Sequence, residues 1–224
     1  MRKLLLAIAV IVVLGVLIGA CSGAVKVPVL SSALGMDKAV DLGGQTANVA
    51  AYAELKQQLG IETPSATENY TLASKHSFSG SVPMNQTLSE GEVMAIPEVA
   101  QPAPGISDLQ IRFHDGSVET SAVVDLKAMG YPISGPIDAT WHLNVTGPQA
   151  ATVQIDSLKY GMFGIPDFLK SKAEDAINSY LATRLPQVTG LDMQKLTFVE
   201  GGLNYAGSIP KTYQADPPVA GQLP

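Results

Sequence analysis

At 224 residues the chain has room for one domain plus a short targeting or tethering segment. A single cysteine excludes an internal disulfide framework, and 21 glycines with 15 prolines favour strands and turns over a helical bundle. A formal charge of −6, spread along the chain rather than blocked, excludes nucleic acid and anionic headgroups as electrostatic partners.

In chain order, Arg2 and Lys3 form a short basic region and Leu4 to Ala20 an uncharged apolar run that ends in Ile18-Gly19-Ala20-Cys21. An aliphatic residue three before a cysteine, followed by two small residues, resembles the lipobox of bacterial-type lipoproteins. The resemblance implies cleavage before Cys21 and a diacylglycerol on its thiol: small residues fit the peptidase, and the thiol is the nucleophile that takes the lipid. An uncleaved membrane helix is the open alternative, since about 17 apolar residues is the least that spans a bilayer. Either way residues 1–20 are a signal peptide or anchor. The body is then expected on the extracytoplasmic face of a membrane, in the cell envelope. Loss of Arg2 and Lys3 would take the charge from −6 to about −8, so any lipid contact beyond the anchor must be apolar.

Residues 21–35 read as a tether of small and apolar residues, and 36–210 as one α+β domain. Asp37, Asp41 and the Gly43-Gly44 pair carry turn chemistry. Thr46 to Leu59 has helical character with Gly60 as its stop, and Tyr70 to Val82 reads as a strand. Thr87…Glu90 and Ser89…Glu92 both have capping-box spacing and predict a short helix through Val93 and Ile96; caps explain these carboxylates without catalysis. Ile106 to Leu126 predicts a hairpin turning at Asp115-Gly116, and Ile137 to Tyr160 a second around Gly147-Pro148.

Ile165 to Ile209 is the most legible stretch. Ile165, Phe168, Leu169, Ala173, Ile177 and Leu181 recur at helical spacing, with Lys170, Lys172, Glu174, Asp175 and Asn178 on the other face. Pro166 is tolerated in a first turn, Arg184 suits the negative end of the dipole, and Pro186 stops the helix. Met193 to Phe198 and Leu203 to Ile209 predict a last hairpin around Glu200-Gly201-Gly202, and residues 211–224 a tail without structure. Phe113-His-Asp-Gly-Ser-Val118 echoes Phe198-Val-Glu-Gly-Gly-Leu203 position by position. The echo has two readings: convergence of two hairpins on one turn solution, or a duplicated helix-then-hairpin unit.

Catalytic signals are absent from the sequence. His76, His114 and His142 have no second histidine or cysteine at ligand spacing, and no nucleophile elbow, H-E-x-x-H or phosphate loop is present. No catalytic residue, metal or cofactor is therefore assigned, and a hydrolase is the third reading of function.

Ser107–Val124, Phe168–Leu185 and Leu196–Gly207, with the helix end Tyr180-Leu-Ala-Thr-Arg-Leu-Pro186 and the hairpin Leu196-Thr-Phe-Val-Glu-Gly-Gly-Leu203, resemble tubular lipid-binding (TULIP-like) envelope proteins, including the LmeA-like and YceB-like lipoprotein groups. The resemblance covers under half of the chain and rests on structural motifs. It implies a strongly bent antiparallel sheet wrapped on a long amphipathic helix, with lipid held between them. The expected function is then a membrane-anchored lipoprotein that binds an apolar ligand, a lipid, in a groove between sheet and helix. The expected lining is Phe113, Trp141, Ile165, Phe168, Leu169, Ile177, Leu181 and Phe198. Its expected partners are the membrane, through acylated Cys21 or an uncleaved helix, and that ligand. The alternative is a structural or protein-interaction lipoprotein whose core these same residues fill.

Overall fold

The computed structural model describes residues 38–44, 46–62, 76–96, 105–125, 134–161 and 163–215; the leader, Cys21 and the expected tether lie outside them. The order is α1 (Val49–Gln58), β1 (His76–Ser79), β2 (Val82–Ser89), α2 (Glu90–Met94), β3 (Ile106–His114), β4 (Ser117–Asp125), β5 (Ser134–Gly147), β6 (Ala150–Tyr160), β7 (Phe163–Gly164), α3 (Asp167–Arg184), β8 (Asp192–Val199), β9 (Gly202–Ile209) and β10 (Thr212–Ala215). This is an α+β fold with one long helix. Every strand pair is antiparallel, and the sheets run β3-β4-β5-β6-β7, β2-β9-β8 and β1-β10 without closing into a barrel. Two features depart from expectation: residues 211–224 were expected to lack structure, yet Thr212–Ala215 pairs with His76–Ser79, and the strand expected from Tyr70 to Val82 is described only as His76–Ser79 and is followed by a separate strand, Val82–Ser89.

Alternating apolar positions of the two larger sheets meet in one core. Ile111, Phe113, Val118, Trp141, Val153 and Ile155 come from the five-stranded sheet, and Met84, Leu88, Met193, Phe198, Leu203 and Tyr205 from the three-stranded one. Of the two overlapping capping spacings the chain uses Ser89 and Glu92. The Ser89 N–H donates to Glu92 Oε2 at 2.8 Å, and the Glu92 N–H returns a bond to Ser89 Oγ at 3.3 Å. Thr87 stays in β2 and bonds Asn204. Glu90, outside the box, is buried, and its carboxylate accepts the Phe113 N–H at 2.8 Å.

The echoed hairpins meet turn to turn. Gly116 N–H donates to the Phe198 carbonyl at 3.1 Å and Gly201 N–H to the Phe113 carbonyl at 3.0 Å, a reciprocal exchange between equivalent positions. Both glycines have left-handed backbones, φ 78° and 71°, which side chains other than glycine rarely adopt. Asp115 Oδ1 accepts the Glu200 N–H at 3.0 Å, and Glu200 lies within 3.6 Å of Arg112 and 3.2 Å of His114 across the junction. The topology extends the echo, because the meander β3-β4-β5 matches the neighbour order β8-β9-β2.

The polar side of α3 is not simply a solvated face. β7 covers only the Lys159–Tyr160 end of β6, so the rest of the outer edge of β6 needs other partners. Asn178 accepts the Val153 N–H at 2.7 Å and donates to the Val153 carbonyl at 3.0 Å. Glu174 accepts the Ile155 N–H at 3.0 Å, and Lys170 Nζ reaches the Asp156 carbonyl at 3.2 Å. Three side chains at four-residue spacing thus act as the missing strand.

Replacing Asn178 with alanine leaves the partly buried Val153 amide and carbonyl without partners. The expected cost is about 1–3 kcal/mol, a loss of roughly 3–10 °C in the thermal midpoint for a chain of this size. Glu174→Gln keeps an acceptor for Ile155 and should cost a small fraction of that; circular dichroism melts of the two variants check both.

Candidate functional site

The expected lining residues separate into three groups. Phe113 on β3, Trp141 on β5 and Phe198 on β8 form one buried aromatic cluster. Phe113 and Phe198 stack with centroids 5.4 Å apart and planes 15° apart, and Trp141 meets Phe198 edge-on at 5.7 Å. Ile177 and Leu181 on α3 are fully buried in the same core, beside Ala173. Leu169 is buried near the start of the helix, and Ile165 is half-buried against the core. Phe168 is 63% exposed. The face that α3 turns to β6 therefore carries buried Ala173, Ile177 and Leu181, which belong to the same core as the aromatic trio. Cys21 lies outside the described residues.

Trp141 Nε1–H is buried with no hydrogen-bond partner among the described residues. An unpaired buried donor costs on the order of 1–3 kcal/mol, which the burial of the indole and its edge-on contact with Phe198 offset.

The open space lies elsewhere. Residues 38–44 run as an arm across the outer face of β3 and β4. Val40 N–H donates to Ser121 Oγ at 2.8 Å and Leu42 N–H to Gln110 Oε1 at 2.9 Å, while Arg112 donates to the Leu42 and Gly43 carbonyls at 3.0 and 2.9 Å. Beneath the arm, Ser121 donates to Asp138 at 2.5 Å. Burial holds the Asp138 carboxyl above the usual carboxylate range, against the lowering effect of that bond and of Lys159.

Between the arm, α2 and the edge of β3 opens a groove of about 700 Å³, within the size range of small-molecule sites. Ala39, Ala47 and Met94 line it with apolar surface, Leu109 and Ile111 border it from the core with little exposure, and Lys38, Asp41 and Asp108 add charge. Two backbone features shape it. The β3–β4 register shifts between Ser107 and Gln110, where Asp108 takes a left-handed backbone (φ 51°), and such bulges re-aim an edge. Gly44 lets the arm approach so closely that an added Cβ would stand 3.0 Å from the Ile111 carbonyl oxygen. The sequence carries no signal for this groove beyond the turn chemistry of Asp41 and Gly43-Gly44.

Histidine side chains are used in surface pairs. His142 lies between the Asp156 carboxylate (2.5 Å) and the Gly116 carbonyl (2.6 Å), and His114 between Glu119 and Glu200. Among the described residues no group of three or more His, Cys, Asp or Glu converges as a metal site, and no helix is long and apolar enough to cross a membrane.

Phe198→Ala should cost about 3–5 kcal/mol; Trp141→Phe should cost clearly less, because it also removes the unpaired donor. Asp138→Asn tests the arm. A carboxyl whose folded-state pKa is raised contributes stability that is full below its ordinary value near 3.8 and is lost as pH rises through the folded value. The asparagine variant should therefore melt a few degrees above the parent at pH 7, with the difference shrinking towards pH 4.

Comparison with protein-family models, with curated proteins and with solved structures finds no match for this chain.

Proposed function

We propose that this protein is a membrane-anchored extracytoplasmic module of TULIP-like character that binds an apolar ligand, a lipid, without catalysis. The anchor in this reading is the Leu4–Ala20 run with acylated Cys21, or that run left uncleaved. The long helix expected of such proteins finds its support in α3, which lies along β6 with Ala173, Ile177 and Leu181 buried in the core.

The observation that carries the ligand reading is the groove of about 700 Å³ beside β3, with Ala39, Ala47 and Met94 as its apolar walls. The inner face of α3 carries buried Ala173, Ile177 and Leu181, and the groove between the sheet edge, α2 and the arm is the open space that supports a ligand in this reading. Affinity comes from burial of hydrocarbon, at about 0.8 kcal/mol per CH₂. The second reading, a structural lipoprotein with a filled core and no ligand, draws on the complete burial of Ala173, Ile177 and Leu181 against the sheet.

Mass spectrometry of organic extracts from the purified full chain separates the two. The ligand reading expects stoichiometric lipid in the parent and at least about a tenfold loss in Ala47→Trp, which fills the groove at an exposed position outside the core. Parent protein that carries no lipid leaves the filled-core reading standing. A labelled fatty acid should appear on the parent and not on Cys21→Ser; an unlabelled parent would sink the lipoprotein anchor.

A further inference from the structure

Among the described residues, the exposed large apolar side chains are Val40, Val49, Phe163 and Phe168. The two phenylalanines are five positions apart, at 58% and 63% exposure, on either side of the turn that joins β7 to α3. Gly164 and Pro166 between them are exposed as well, and a Cβ added at Gly164 would meet nothing within 4 Å. Leu169 and the half-buried Ile165 root this turn in the fold. Two exposed rings thus stand on either side of the entry to α3, on a stretch anchored by Leu169 and Ile165.

We propose that Phe163 and Phe168 form a membrane-insertion tip that docks the body on the surface of the bilayer carrying its anchor. The inference rests on the membrane-anchored reading and goes beyond it, because it concerns the bilayer surface rather than a lipid held in the groove. Two observations select a bilayer as the occupant.

The first is reach. The chain leaves the expected anchor at Cys21 and enters the described structure at Lys38. At no more than about 3.6 Å per residue, the intervening segment keeps the body within roughly 60 Å of the membrane.

The second is charge. A body at −6 or below has no electrostatic attraction to a membrane, so its contact must be apolar, which two exposed rings supply. Lysines flank the rings locally. Lys159 pairs in register with Gly164, Lys172 stands one helical turn beyond Phe168, and Lys170 holds the exposed Asp167 at 3.4 Å. Lysines around an apolar tip can keep their ammonium groups at headgroup level while the rings enter the acyl region.

The lone tryptophan makes this measurable. Trp141 is fully buried, so in vesicles containing bromine-labelled phosphatidylcholine it serves as an unquenched internal reference. The full chain is reconstituted into such vesicles and floated. Phe168→Trp and Phe163→Trp are expected to lose about half or more of the added emission to the brominated acyl chains and to shift to the blue, whereas Ser179→Trp, exposed later on α3, matches its value in unlabelled vesicles. The positions are exposed, so melting should be unchanged, and the quenching should be insensitive to salt. Chain that floats with the vesicles while Phe168→Trp and Phe163→Trp go unquenched overturns the tip and leaves the anchor intact. Chain that does not float at all overturns the tip together with the membrane-anchored reading.

Discussion

The architecture turns on how one strand edge is closed. β6 is paired on one side by β5, but β7 covers only two residues of its other side. Its remaining N–H and C=O groups need partners, and α3 provides them from side chains. The match is geometric: four helical residues rise about 6 Å, and two strand residues advance about 6.7 Å. Asn178 over Val153 and Glu174 over Ile155 therefore stay in step. The register shift between Thr140 and Trp141 leaves Asp156 as the extra residue of β6 where Lys170 makes the third contact. Once these polar groups dock, the rotation of α3 is set. Ala173, Ile177 and Leu181, each three residues beyond one of them, turn into the core. Phe168, two residues before Lys170, is carried about 200° around the helix and faces outward.

A second constraint joins the two larger sheets. The reciprocal bonds between Gly116 and Phe198 and between Gly201 and Phe113 have the form of a self-complementary contact, in which equivalent groups bond one another across an approximate two-fold axis. The Phe113–Phe198 stack lies at the same junction. Glu90 adds a buried carboxylate on the Phe113 amide, and its own N–H donates to the Gly201 carbonyl at 3.2 Å, so the start of α2 ties both turns. Surface pairs around Glu200 add little, since half-exposed ion pairs are screened and flexible.

These constraints bear on the proposed function. The helix is held by its polar stripe against a strand edge, and Ala173, Ile177 and Leu181 of its inner face are buried in the core. The features open to apolar ligands are at the margins: the groove where the arm passes β3, and the two exposed rings where α3 begins. They lie on different elements, so binding of a lipid molecule and contact with a lipid surface would be separate properties of one anchored body.

Much of the secondary structure was legible in the sequence because its causes are local. Period-two apolar runs set β3, β5, β6, β8 and β9, acid-glycine pairs set the turns at Gly116 and Gly201, and the three- and four-residue spacing around Ile177 set α3. The apolar run Leu4–Ala20 and the Ile18-Gly19-Ala20-Cys21 motif, read as an expected leader, are equally local patterns. The tertiary structure alone decided which of those residues share a surface. Phe168 and Ile177 read as one apolar stripe, yet nine residues set them about 180° apart on the helix, so once the edge of β6 holds Ile177 in the core Phe168 is exposed. Glu174 and Asn178 look like solvated residues until that edge is present. Glu90 and Glu92 are two apparent cap carboxylates, and only the distant Phe113 amide separates the buried one from the cap. The echo between the hairpins was visible in the letters, but that the two turns bond each other depends on partners 85 positions apart in sequence, a separation that no local pattern encodes.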